Sequence, residues 1–176
     1  MKKVCIAALV ITMCFTFSGC NLVNGNEITE ITLPAFVMMG SEMSPNSELE
    51  SYVSENEFES ASWNDDGSLT IQLTNKRKAS LQKEMEAGLI KSFENIENSP
   101  DTSFVKSIRA SEGYRIILIK VDTQEYLNSF ELTSYIVGMS VLIYQSYAGE
   151  DAYTDVVVID AVSGVQIESV HYPEDE

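Results

Sequence analysis

The sequence is poor in positive charge, in cysteine and in histidine. It carries 11 Lys and Arg against 27 Asp and Glu over 176 residues. Nucleic acid binding demands a basic footprint, and the one basic cluster, Lys76-Arg77-Lys78, is three residues long. There is a single histidine, His171, while zinc sites take several His and Cys ligands. A Ser-His-Asp triad would have to rest on that same residue, and no serine sits in a glycine-flanked nucleophile elbow. Glycine-rich phosphate loops and repeats of about 20–50 residues are absent too. The three cysteines, Cys5, Cys14 and Cys20, all fall within the first twenty residues. Everything after Cys20 lacks a thiol and must be held together by an apolar core. No apolar run reaches the about 20 residues that a membrane-spanning helix needs.

What is present begins at the N-terminus. Met1-Lys2-Lys3 is a short positive segment, and Val4 to Phe17 is a 14-residue apolar run broken only by Thr12 and Thr16. Small residues follow at Ser18 and Gly19. This is the layout of a signal peptide over residues 1–19. Cys20 comes next, and Phe17-Ser18-Gly19-Cys20 resembles the lipobox of bacterial lipoproteins, with Phe in place of the usual Leu. The resemblance implies cleavage before Cys20, a diacylglyceryl thioether on its sulfur, and residence on the outer face of a bacterial cell membrane. Two acyl chains anchor stably where one holds only marginally. Loss of Lys2 and Lys3 would leave 9 Lys and Arg against 27 acids, a formal charge of about −18. Lipid, not charge, would then do the anchoring, and the acidity reads as solubility and self-repulsion. Residues 20–27 read as the lipidated Cys and a tether reaching roughly 20 Å.

Residues 28–176 read as one α+β domain. Ile28, Ile31 and Leu33 form a short strand stopped by Pro34, which fits an edge position. Ala35 to Met39 is apolar, and Gly40 to Pro45 is a loop. Ser47 and Glu50 fit a capping box for a short helix over 48–56. Residues 58–63 and 68–74 flank Asn64-Asp65-Asp66-Gly67 as a hairpin, with Leu69, Ile71 and Leu73 alternating. Residues 75–97 have helical period, with Leu81, Met85, Leu89, Phe93 and Ile96 along one face. A second hairpin spans 104–110 and 114–121 around Glu112-Gly113. Asp122, with Glu125 at the reciprocal position, caps a long helix running to Ala148 and stopped by Gly149. From Tyr135 to Tyr147 that helix is apolar almost all round, which predicts burial. A third hairpin over 155–160 and 165–171 turns at Ser163-Gly164, before an acidic end. The pattern predicts a two-layer sandwich: a mainly antiparallel sheet built of hairpins, with two long helices on one face. Its middle resembles a ferredoxin-like split unit.

Candidate chemistry is sparse. A calcium loop aligned on Gly67 would use Ser62, Asn64 and Asp66, but its closing bidentate acid falls on Leu73, so a plain turn fits better. Carboxylates are abundant, which leaves a paired-carboxylate hydrolase open by count alone. Tyr135, Tyr144 and Tyr147 read as core packing with phenolic groups at the rim. Gly138, Ser134 and Ser140 on the same helix allow close approach of the sheet or of a partner helix, and the intramolecular version is preferred. No catalytic, cofactor-binding or metal-ligating residue is assigned; the one site residue is Cys20.

The mature chain resembles a group of small lipoproteins of Gram-positive bacteria. The resemblance lies in Ile31-Thr32-Leu33-Pro34-Ala35, Asn64-Asp65-Asp66-Gly67-Ser68-Leu69-Thr70, Tyr144-Gln145-Ser146-Tyr147-Ala148-Gly149 and the ending from Ser163-Gly164 to Tyr172-Pro173. Some of these lipoproteins carry an antigen I/II N-terminal domain label, but the long repeat regions of such adhesins are missing here. The sequence therefore leads to three expectations. The first is a lipid-anchored, non-catalytic module that binds a protein or cell-envelope partner. The alternatives are a carboxylate-dependent surface hydrolase and a small-ligand carrier.

Overall fold

A computed structural model describes residues 25–39, 49–129 and 132–173. The signal segment, Cys20, the Gly40–Pro45 loop, Ser47 of the capping box and the acidic tail from Glu174 lie outside the described residues. The chain forms strands β1 (Ile28–Leu33), β2 (Ser60–Trp63), β3 (Leu69–Thr74), β4 (Val105–Ala110), β5 (Ile116–Val121), β6 (Thr154–Asp160) and β7 (Gln166–Tyr172). Its α-helices are α1 (Ala35–Met39), α2 (Leu49–Glu55), α3 (Asn75–Asn98), α4 (Thr123–Asn128) and α5 (Thr133–Ala148). The α+β class and all three hairpins are as the sequence predicts.

The strands make two sheets rather than one, in the orders β1-β3-β2 and β4-β5-β6-β7. β3 spends both edges on β1 and β2. It therefore cannot enter the larger sheet, and the ferredoxin-like unit does not close. β1 is an edge strand, in keeping with Pro34 behind it. β5 and β6 pair in parallel, the exception to an otherwise antiparallel scheme. A parallel neighbour needs a crossover, and α4 and α5 supply it.

The long helix expected from Asp122 to Ala148 is two helices. Asp122 does cap: its Oδ1 accepts from the Glu125 backbone N–H at 3.1 Å. The reciprocal bond is not made, because the Asp122 N–H donates to the Phe104 carbonyl at 2.8 Å. Asn128 Nδ2 and Ser129 Oγ then turn back to the Gln124 and Tyr126 carbonyls. Such local side-chain bonds compete with helix propagation, and α4 ends there. α5 runs on to Gly149, which takes the left-handed C-cap conformation at φ 72°.

Two apolar clusters form the core. One gathers Ile31, Leu33, Leu69, Ile71 and Leu73 of the small sheet. The other gathers Ile117, Ile119, Val121, Val156 and Val158 of the large sheet. Both long helices serve both. α3 gives Leu81 and Met85 to the first and Leu89, Phe93 and Ile96 to the second. α5 gives Ile143 and Tyr147 to the first and Val137, Val141 and Leu142 to the second. The 3.6-residue stripe read from 75–97 is thus one continuous face shared by two sheets. Where the described residues begin, the Gly25 carbonyl accepts from the Lys76 backbone N–H at 2.9 Å, so the expected tether is already docked by residue 25.

Asp160 shows how a turn is held by charge. Its carboxylate accepts from Thr123 Oγ1 at 2.6 Å and from the Ser163 N–H and Oγ at 2.6 and 2.7 Å. The Thr123 hydroxyl first, then Ser163, hold its pKa well below its usual value of 3.8. A depressed folded pKa gives stability that is full above the unfolded value and lost as pH falls through the folded one. Asp160→Asn is therefore expected to lower the urea midpoint at pH 7, and the gap to the parent should narrow as the pH drops below 3.8. A gap that stays constant from pH 7 to 2 would show that the carboxylate charge does not tie this turn.

Candidate interaction surface

The large sheet is covered on one face only among the described residues. Along β5 and β6, buried residues alternate with partly exposed ones, as strand geometry requires. Ile117, Ile119, Val156 and Val158 face the helices. Ile116, Leu118, Val157 and Ile159 point the other way and join neither cluster. Register sets these outward residues side by side: Ile116 by Asp155, Leu118 by Val157, and Lys120 by Ile159. Arg109 flanks Leu118 from β4, and Ser169 flanks Val157 from β7. The result is an apolar centre with a polar rim. Parallel pairs are normally covered on both faces, and their strands then read as continuous apolar runs. Ile116-Ile117-Leu118-Ile119 and Val156-Val157-Val158-Ile159 have that composition, yet one face here has no cover among the described residues.

One end of this face carries a stacked array. His171 Nδ1 lies 2.8 Å from Asp155 Oδ1. Its ring stacks on Tyr153 at a centroid distance of 6.3 Å and 28° between planes. On Tyr153 the Arg115 guanidinium sits 4.1 Å from the ring centroid, and its Nη1 donates to the Asp151 carbonyl at 2.5 Å. Cation–π stacking and the carbonyl bond pre-orient this arginine. Tyr and Arg are the residues that anchor interfaces most often. The lone histidine of the sequence thus belongs to a surface array with a carboxylate and an aromatic ring.

The other sequence candidates have structural jobs. Asp66 Oδ1 accepts from the Ser68 N–H and Oγ at 2.9 and 2.6 Å, and these bonds lower its pKa. Asn64 N donates to the Ser68 carbonyl at 2.9 Å, closing the hairpin that the sequence favoured over a calcium loop. Among the described residues no group of three or more His, Cys, Asp or Glu is placed to hold a metal ion. Asp101, Asp122 and Glu125 ring an open depression of about 610 Å³ beside Phe104. Two of the three are otherwise engaged, Asp122 as a helix cap and Glu125 at 4.0 Å from Lys106 Nζ.

The helix tyrosines divide. Tyr147 bonds its hydroxyl to that of Tyr52 at 3.1 Å, and burial, with Tyr147 beside it, raises the Tyr52 pKa. Tyr144 packs edge-on against Tyr114. Tyr135 departs from the expected burial: it is 54% exposed and leans on Tyr172. Beside Tyr144, the groove between α3 and α5 holds about 200 Å³ and is lined by Met85, Gly88, Leu89 and Ile143. Ligand pockets run from about 300 to 1,000 Å³, so this groove falls short.

The sequence also concealed a polar knot. Gln145 is fully buried, and its Nε2 donates to the Gly113 carbonyl at 3.0 Å. Thr154 Oγ1 holds the next carbonyl, that of Tyr114, at 2.8 Å. These bonds fix Tyr114 at φ 59°, a left-handed conformation that costs a bulky residue energy. Burial, then the hydrogen bond to Glu86, push the Tyr114 hydroxyl up to about 12. The knot sets the turn that leads into β5 and so positions Arg115 and Ile116.

Comparison with protein-family models, with curated proteins and with solved structures finds no match. No described helix is long and apolar enough to cross a membrane.

Proposed function

We propose that this chain is a lipid-anchored protein on the outer face of a bacterial cell membrane, and that it acts as a non-catalytic binding module. The observation that carries the reading is the uncovered apolar face of the β5–β6 pair, with Leu118 and Val157 at its centre and the Arg115–Tyr153–His171 array at its rim. An unpartnered apolar patch rimmed by polar residues marks an interaction site. The sequence Phe17-Ser18-Gly19-Cys20 supports the anchor. With the chain docked from Gly25 onward, only five residue steps separate Cys20 from the folded part. The binding face then stays within roughly 20 Å of the tether's end plus its own dimensions. The partner is a protein or envelope component near the membrane surface.

Fractionation and covalent crosslinking on intact producing cells test both halves. The parent is expected to fractionate with membrane and to give a specific adduct. Cys20→Ser is expected to leave the membrane and lose the adduct. A Cys20→Ser protein that stays with the membrane as firmly as the parent would overturn the lipid anchor. A membrane-bound parent that gives no adduct would overturn the binding reading.

A further inference from the structure

The uncovered face of the β5–β6 pair has a definite outline. Ile116 stands in its first row, Leu118 and Val157 share the second, and Ile159 stands in the third beside Lys120. The apolar side chains therefore form a diagonal strip from the start of β5 to the end of β6. Ile116 to Lys120 is four residue steps, about 13 Å along the strand, and the strip moves sideways by one strand spacing of about 5 Å. About nine residues of α-helix, at about 1.5 Å each, have that length. The opposite face shows what covers such a pair: the crossover from β5 to β6 brings α5 onto it through Val137, Val141 and Leu142. Parallel pairs ordinarily carry helices on both faces.

Charge on this face runs against that of the chain, whose formal total is −16. The one carboxylate beside the strip is Asp155, and it is bonded to His171. Glu168 stands opposite Val158 on the helix side of the sheet and bonds the Tyr126 hydroxyl. Two cations, Arg109 and Lys120, border the strip on its β4 side. Arg109 shares its charge with Glu97 at 3.3 Å. Lys120 has no hydrogen-bond or ion-pair partner among the described residues. On the β7 side the strip is bordered by the neutral Ser169. A membrane-inserting surface sinks its apolar side chains about 5–10 Å into the bilayer boundary. Leu118, Val157 and Ile159 are only partly exposed in a flat sheet, which suits close packing by a protein element better.

We infer that this strip takes an amphipathic helix of a partner protein, with acidic residues along the flank that meets Lys120 and Arg109. The inference rests on the binding-module reading above and names the partner's chemistry. The helix supplies the layer that the second face of the β5–β6 pair lacks. Its apolar residues at i, i+3, i+4 and i+7 pack on Leu118 and Val157 and give affinity. Its carboxylates meet the free Lys120 ammonium, set the direction of the helix and speed the encounter.

The test uses the soluble form of the full mature chain carrying Cys20→Ser and a fluorescein-labelled peptide about 18 residues long, since shorter helices are marginal in water. The peptide has leucine at helical spacing, glutamate along one flank and alanine elsewhere. Fluorescence anisotropy is expected to show saturable binding that Val157→Asp abolishes. The same residues in alternating order keep the composition and charge and lose the apolar stripe, so they should bind at least about tenfold more weakly. Lys120→Glu should weaken the glutamate peptide by a similar factor, with circular dichroism unchanged, and a lysine-flanked peptide should recover the binding. Equal binding of the alternating peptide, or an undiminished affinity in Lys120→Glu, would overturn the inference. No binding at low salt would overturn it too. So would a dimer in sedimentation that Val157→Asp dissociates, or Val157-dependent binding to vesicles of phosphatidylcholine and phosphatidylglycerol in place of the peptide. An adduct on cells that needs Val157, together with no peptide binding, would sink the acidic helix and leave the binding module standing.

Discussion

Val156→Asp is expected to unfold the protein, whereas Val157→Asp, one residue on, is expected to leave it folded. Val156 is fully buried between the large sheet and the helices. A carboxylate there has no cation within the cluster, and burying an unpaired charge is among the few changes that cost about 4 kcal/mol or more. Domain stabilities lie at about 5–15 kcal/mol, so one such change consumes much of the total. Val157 faces away and joins neither cluster. Its replacement loses strand propensity and a little apolar contact, no more than about 1 kcal/mol. Urea unfolding of the two variants measures the difference. Equal destabilisation would mean that both faces of β6 are core and that the uncovered face does not exist.

Gly138→Ala is expected to be destabilising, against the ordinary preference of helices for alanine. A Cβ at Gly138 would lie 2.5, 2.7 and 2.8 Å from three carbons of the Tyr172 ring. The ring is buried in the core cluster and rigid, so it has to move as a unit. Overpacking of this kind costs about 1–3 kcal/mol, while replacing a helical Gly by Ala gains about 1 kcal/mol. With three ring carbons inside 3 Å the clash wins, and the net loss is up to about 2 kcal/mol. Residues in contact are not additive, and here the sign itself should change. In a Tyr172→Ala background the ring is gone, and Gly138→Ala should stabilise by up to about 1 kcal/mol. A thermal or urea double-mutant cycle reads this directly. Stabilisation by Gly138→Ala in the parent would show that β7 does not pack on α5 through this contact.

Strong local signals were legible in the sequence. Leu69-Thr70-Ile71-Gln72-Leu73 alternates, the Asp66-Gly67 turn is short, and the 3.6-residue stripe of α3 spans its whole length; each element lies where its pattern puts it. Gly138 was legible too as a point of close approach, although its partner, Tyr172, is a nonlocal fact. What failed were statements that depend on pairing between distant segments. Nothing in β3 announces that both its edges go to β1 and β2, so one sheet was expected where there are two. The break between α4 and α5 hid in Asn128-Ser129, two residues that helices tolerate but whose side chains here bind carbonyls one turn back. The buried Gln145 was lost among apolar neighbours on a helix that reads as core.

The uncovered face had a signal that went unused. A half-buried strand alternates, but Ile116–Ile119 and Val156–Ile159 are apolar at every position. Continuous runs read as strands buried on both sides, and the two long helices are enough to cover only one. The shortfall of covering elements among the described residues supports the proposed binding face. Cys20 is different in kind. Its proposed role rests on a local sequence pattern alone.

Crosslinking on intact cells, parent against Val157→Asp, bears most directly on the binding face. Both proteins carry Cys20 and both are expected to be folded and membrane-bound, so only the centre of the uncovered face differs. The adduct is predicted to fall at least about tenfold in the variant. An adduct of undiminished yield would place the partner elsewhere on the molecule and contradict the assignment of this face.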